Sequence, residues 1–282
     1  VADLIPPEQR PDAYALLRLS HNAGIAIGPS LGGLMTILSY TFAFFFAAVG
    51  MVAYGLLLTF LAVETLPPQT MSQSILHTFR GYLQVLSDRP FLSFVVTFIL
   101  VQMTAVFMWV LLPVYVHDQY QIPESTYGLI PTTNALMVVL FQVFVTRITR
   151  KYPPLPVMAL GSFLYAIGVG SVALGGSFIA FWVSMVIMTL GELVLMPTAS
   201  TYVAHLAPAD MRGRYMSISG LTWNAAYGLA PVTGGYLNDN IAPRAIWVGG
   251  LVTGLAAFLG YSLLTKKQKT KLGPHLVEKR QP

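Results

Sequence analysis

Apolar residues run along this chain in long unbroken stretches, unlike the alternation of a half-buried strand or the narrow stripe of a surface helix. Eight stretches, at approximately 19–38, 42–63, 91–116, 127–146, 155–174, 178–203, 215–236 and 245–264, reach the length of about 20 residues that a helix needs to cross a hydrocarbon core. Short connections marked by Pro, Gly, Ser or charge separate them. The pattern predicts an all-α, polytopic transmembrane protein with eight spans. The longest connection, 64–90, departs from the rest. Met71, Ile75, Phe79, Tyr82, Leu83 and Leu86 recur there at helical spacing, with His77, Arg80, Gln84 and Asp88 between them. That is an amphipathic helix suited to a membrane surface, and it divides the spans into two followed by six.

Composition agrees with the pattern. Of 282 residues, 55% are hydrophobic and 10% charged, whereas a soluble domain carries roughly 25% charged residues. A chain so poor in charge cannot cover a water-facing surface. The positions of the charges test the span count. With eight spans, fifteen of the sixteen Lys and Arg fall on one side, and Arg244 alone lies opposite. The positive-inside rule makes that side the cytoplasm, with both chain ends there. The net charge of +5 therefore reads as membrane orientation rather than nucleic-acid binding. The absence of cysteine excludes disulfides, thiolate metal sites and cysteine nucleophiles, and the five scattered histidines show no metal-ligand spacing. No cofactor is implied.

The chain also repeats itself. Residues 2–33 and 204–235 align without gaps at an offset of 202. Ala2, Leu4, Pro6, Arg10, Asn22, Ala23, Pro29, Gly32 and Gly33 recur as Ala204, Leu206, Pro208, Arg212, Asn224, Ala225, Pro231, Gly234 and Gly235. Each copy joins a cytoplasmic loop to a span, so the repeat is parallel and its unit is six spans. Proteins built from two homologous halves show this arrangement, with a site between the halves. The resulting expectation is eight helices of a twelve-helix, two-bundle (6+6) fold, with four further spans preceding Val1. Residues 1–64 are then the last two helices of an N-terminal bundle and 65–89 an amphipathic linker. Residues 90–265 are a C-terminal six-helix bundle and 266–282 a basic cytoplasmic tail.

At this point the residues resemble a known family. The run from Gly24 to Gly33, GIAIGPSLGG, resembles the GxxxGPxxGG antiporter motif of the major facilitator superfamily. The segments SDRPFL, GELVLMP and PADMRGRY resemble its entry to helix seven, its helix ten and its ten–eleven loop. On that likeness the chain covers helices five to twelve. The loop echo TRITRK after the fourth span keeps the family's basic residues but lacks its Asp. The resemblance implies a secondary active transporter, proton-coupled and exporting a small amphipathic or drug-like solute, with no enzymatic activity. It also implies small-molecule substrate, protons and lipid as partners, and no nucleic acid. A bacterial-type plasma membrane and a monomer when full length are expected. Proton-coupled uptake, as in peptide-type symporters, and a non-transporting sensor or scaffold stay open. Because the family's cavity is lined by helices one, four, seven and ten, residues 1–282 alone are expected not to transport.

Glu192 is the one acidic residue placed well inside a span. A carboxylate there must face a cavity, find a partner or be protonated. It is the candidate for proton or substrate coupling, with a structural interhelical hydrogen bond as the alternative. Gly24, Gly28, Pro29, Gly32 and Gly33 form a candidate closely packed, bent seam, repeated at Pro231, Gly234 and Gly235. Gln102, Trp109 and Asn134 are candidate cavity residues, with interhelical bonding the alternative for each; Thr104, Gln142, Trp223 and Asn224 are similar polar or aromatic points. Pro197 is expected to bend its helix. Arg18 and His21 stand at the entry of the first span, and Arg10 and Arg212 mark the repeated loop. Tyr40, Tyr115, Tyr152 and Trp247 near span ends read as interfacial anchors.

Overall fold

A computed structural model of the chain describes residues 20, 23–24, 27–28, 31–61, 75–208 and 211–272, without the side chains of 75–80, 269 and 271–272. All regular structure among the described residues is helical. We number the helices α1 (31–38), α2 (Tyr40–Leu61), α3 (Ile75–Ser87), α4 (Arg89–Val106), α5 (Leu112–Tyr120) and α6 (Glu124–Tyr127). They are followed by α7 (Leu129–Thr149), α8 (Pro154–Ser171), α9 (Phe178–Leu206), α10 (Arg212–Asn240) and α11 (Ala245–Leu272). Arg10, Arg18, His21, Pro29 and Met71 lie outside the described residues.

Local chemistry sets the helix ends. Asp88 caps α4 by accepting the Phe91 N–H at 3.2 Å, and Pro90 in the first turn has no amide hydrogen to leave unsatisfied. Ser177 caps α9 in the same way. Gln121 ends α5 in the left-handed region at φ 55°, where its N–H reaches the His117 carbonyl at 3.0 Å. A π-helical turn, Phe107–Leu111, joins α4 to α5. Its cause is visible in the sequence: Pro113 cannot donate to the carbonyl of Trp109, so the ladder widens there.

Helices α4 to α11 share one core that includes Phe91, Phe94, Phe107, Met108, Phe181, Met188, Trp247 and Tyr261. Glycine brings the backbones together. A Cβ on Gly161 would lie 3.0 Å from the Gly191 carbonyl oxygen, one on Gly191 would lie 2.7 Å from that of Gly161, and one on Gly168 would lie 2.6 Å from the Met188 nitrogen. Gly254 of α11 packs on Ala166 of α8 in the same manner. In lipid, where apolar side chains gain little by leaving their solvent, such close approach and its dispersion energy hold helices together. The outer face carries exposed Leu140, Phe144, Val232, Val252 and Leu259, as a lipid-facing surface requires. Helix α2 buries none of its 22 residues.

Among the described residues, six helical stretches are long and apolar enough to cross a membrane: Tyr40–Leu61, Arg89–Tyr120, Glu124–Thr149, Pro154–Leu174, Phe178–Leu206 and Ala245–Gln268. They correspond to six of the eight expected spans. The first expected span is described only in part. The seventh is present as α10, whose 29 residues suffice for a crossing. Ser217, Ser219, Thr222 and Asn224, with several glycines, make it less apolar than the others.

Two of the expected interfacial anchors are corrected. Tyr115 and Trp247 are 4% and 0% exposed and pack edge-on at 5.0 Å, with Phe181 and Tyr120 completing the cluster. The Tyr120 hydroxyl donates to the Gly175 carbonyl at 3.0 Å. These rings sit where the ends of α5, α8, α9 and α11 converge, so they close that end of the bundle rather than face lipid. Tyr40 and Tyr152 are exposed.

Candidate functional site

The one carboxyl group inside the bundle among the described residues lies on the seam between α7 and α9, with buried Asn134 and Thr189 beside it. Asn134 of α7, 3% exposed, donates through Nδ2 to Glu192 Oε2 at 2.7 Å and to Thr189 Oγ1 at 2.9 Å. Thr189 and Glu192 are three residues apart on α9 and so share a face. The Thr189 hydroxyl donates to the Met185 carbonyl at 2.8 Å, leaving its oxygen free to accept from Asn134. Toward the Arg244 end of the bundle, Trp182 Nε1 donates to Thr133 Oγ1 at 2.8 Å. Toward the opposite end, Gln142 Nε2 donates to the Leu193 carbonyl and to Thr146 Oγ1, both at 3.0 Å. The seam is thus a ladder of four interhelical side-chain bonds with one carboxyl group in its middle. No group of three or more His, Asp or Glu able to hold a metal ion occurs among the described residues.

Beyond the ladder, at the end where α7 and α9 finish, lies a cavity of about 550 Å³. Thr146, Thr149 and Arg150 line it from the α7 side, and Pro197, Thr198, Thr201 and His205 from α9. A neighbouring cavity of about 470 Å³ shares Tyr202, Leu206 and Gln268 with it and adds Arg89 and Lys267. One end of the bundle therefore gathers the basic residues that the charge pattern placed on one side. Tyr215 of α10 donates to Asp88 Oδ2 at 2.7 Å at this same end, and Arg214 lies against Gly81 of α3. These contacts dock α3 on the bundle, with Val85 fully buried and Leu83 and Leu86 exposed.

The other sequence candidates are dispersed. Gln102 is buried on α4 with its Oε1 unpartnered among the described groups, while Trp109 stands half-buried in the π turn. Neither joins the Asn134–Glu192 pair. Gly234 packs against Leu111 and Phe107 of that turn, whereas a Cβ on Gly235 would meet nothing within 4 Å. A Cβ on Gly24, Gly28 or Gly32 would also meet nothing within 4 Å, and Gly33 packs against the backbone of Glu124. Pro231 lies inside α10, and Arg212 opens it as an exposed residue. Thr104 bonds Thr253 of α11 at 2.9 Å. On the Arg244 side, His117 lies 3.0 Å from Asp118 and 3.5 Å from Glu124, and Tyr40 of α2 donates to Glu124. Sequence reasoning missed Thr189 and the bond from Gln142 to α9. A Ser/Thr three residues from an intramembrane acid and a Gln facing a mid-helix proline are the signals that point to them.

The sequence profile described as Major Facilitator Superfamily matches this chain at residues 1–123 and again at 94–281. A Na(+), Li(+), K(+)/H(+) antiporter of Planococcus maritimus is 26% identical over 275 residues, covering 88% of this chain and 63% of that protein. The multidrug resistance protein MdtH of Citrobacter koseri is 26% identical, covering 97% of this chain and 68% of that protein. The chain thus spans about two thirds of the length of these curated relatives. Among solved structures, a POT family transporter in complex with a thioalcohol-conjugated peptide superimposes with a TM-score of 0.71 at 17% identity, over 93% of this chain and 70% of that one. That likeness is one of fold. With its membrane-length helices and a profile match along its whole length, the chain is an integral membrane protein that belongs to the major facilitator superfamily of transporters.

Proposed function

We propose that this chain forms the greater part of a secondary active transporter that exports a small amphipathic or drug-like solute in exchange for protons. The observation that carries the reading is the Glu192–Asn134–Thr189 set. A carboxyl group held inside a membrane bundle by one neutral donor, the Asn134 amide, has no salt-bridge partner among the described residues to fix its charge. It can therefore pass between a protonated state and a charged state that attracts a proton or a cationic substrate. The multidrug and cation/proton antiporter relatives support exchange. In this reading residues 1–64 close an N-terminal bundle, 65–89 link the halves, 90–265 form the C-terminal bundle and 266–282 are a cytoplasmic tail. The basic end faces the cytoplasm, and the halves rock about a site between them.

The antiporter of Planococcus maritimus supports a second reading, in which the exchanged solute is an alkali cation. The Glu192 carboxylate and the Thr189 hydroxyl supply the oxygen ligands that such an ion takes. Inside-out membrane vesicles containing the complete encoded protein separate the two. With an imposed pH gradient, the first reading expects accumulation of a lipophilic cationic dye. The second expects Na+, Li+ or K+ to collapse the gradient without dye movement. A pH gradient that neither solute type alters would refute both.

A further inference from the structure

Pro197 sits inside α9 without breaking it. Lacking an N–H, it leaves the carbonyl of Leu193, four residues earlier, without its helical partner. Leu193 is 1% exposed, so water does not fill the gap. An unsatisfied carbonyl within a bilayer costs several kcal/mol. Gln142 of α7 fills it, donating at 3.0 Å, and its second amide hydrogen goes to Thr146 Oγ1. A side chain from the neighbouring helix thus stands in for the missing backbone bond.

The placement divides α9 in two. Every described side-chain bond from α7 to α9 falls before the proline, at Trp182, Thr189, Glu192 and Leu193. After it, Thr198, Ser200 and Thr201 bond only to carbonyls of their own helix, at Val194, Met196 and Pro197. Such back-bonding loosens and bends a helix. This later arm is the part that walls the cavity of about 550 Å³. The Gln142 bond is the last tie before the arm and lies one residue from Glu192.

We propose that Gln142 is a positioning residue. By supplying the hydrogen bond that Pro197 denies Leu193, it sets the angle between the Glu192 half of α9 and the arm that lines the cavity. Releasing it frees the arm. The consequence for transport rests on the alternating-access reading above, but the geometry does not.

Residues 1–282 contain no cysteine, so the test starts from a parent in which any cysteine elsewhere in the complete protein is replaced by serine. Thr201 is exposed and lines the cavity, so Thr201→Cys in the complete protein, reconstituted in liposomes, reports the arm through its rate of maleimide labelling. Gln142→Leu is expected to raise that rate about fivefold, the shift that one neutral hydrogen bond supports. In a Pro197→Ala background the backbone N–H takes over Leu193, and Gln142→Leu then changes the rate less than about twofold. Pro197→Ala alone, which leaves the Gln142 contacts available and does not threaten folding, lowers the rate. An effect of Gln142→Leu that is the same in both backgrounds would overturn the proposal. So would labelling that Pro197→Ala leaves unchanged. Glu192→Gln assayed for pH-driven solute movement tests the transport reading separately: its failure there leaves the labelling prediction intact.

Discussion

At the scale of single residues, one amide, that of Asn134, joins the Glu192 carboxyl group to the Thr189 hydroxyl. Asn134→Leu removes the amide that serves both Glu192 and Thr189. It should destabilise the protein by about 1–3 kcal/mol, the cost of leaving a buried polar group unpaired, and a thermal melt in detergent reads it. Asn134→Asp is a sharper probe. It sets two carboxyl groups within hydrogen-bond distance, where both cannot be charged together at low cost. Its melting temperature should therefore match the parent in mild acid and fall behind it as pH rises toward about 8, where both groups are driven to ionise. A constant difference across that range would contradict the geometry. Glu192 was legible in the sequence because an acid inside an apolar run has few explanations. Thr189 was not. A membrane-span threonine usually bonds its own helix, as Thr189 does to Met185, and its second partner lies 55 residues away in sequence.

At the scale of elements, the apolar runs placed the helices closely. The stretch expected at 178–203 is α9, Phe178–Leu206. The 215–236 stretch is α10, longer at both ends because Arg212 and Arg214 at one end and Asn238 and Asp239 at the other continue the helix past the apolar zone. Hydropathy alone does not register residues that extend a helix into water. Nor does it tell which glycines touch a neighbour. Among the described residues, the motif glycines Gly24, Gly28 and Gly32 meet nothing within 4 Å, whereas Gly161 and Gly168, which no motif singled out, carry the α8–α9 contact together with Gly191. Only the pairing of helices, set by tertiary packing, decides that. Gly168→Leu should prevent assembly of the bundle, because the added side chain meets the Met188 backbone, which cannot move aside. Gly220→Leu, at a position with open space around it, should fold with a melting temperature close to the parent's. Gel-filtration profiles and melts in detergent distinguish the two. The aromatic residues teach the same lesson: Trp247 and Tyr115 stand near span ends, where lipid anchoring is the usual role, yet both are buried by partners from other helices.

At the scale of the whole molecule, charge bias and the internal repeat carry the architecture. Among the described residues, six helices are long and apolar enough to cross a membrane, and they follow the order of six of the eight expected spans. The bundle of α4 to α11 packs around one core, to which α2 contributes no buried residue. The proposed orientation makes a simple prediction. In intact cells an impermeant thiol reagent should label Arg244→Cys directly, and Lys151→Cys only after the membrane is opened. Reversed accessibility would invert the topology. What the sequence could not supply at this scale is which helices pair, since those contacts join residues far apart in the chain, as Asn134 and Glu192 are.

The most direct measurement of the central claim compares the parent protein with Glu192→Gln in proteoliposomes. Glutamine keeps the size and hydrogen-bonding capacity of the side chain but neither releases nor takes up a proton. The account predicts that a pH gradient drives solute accumulation by the parent and none by Glu192→Gln, while solute exchange at equal pH persists in both. Accumulation by Glu192→Gln at the parent's rate would contradict it.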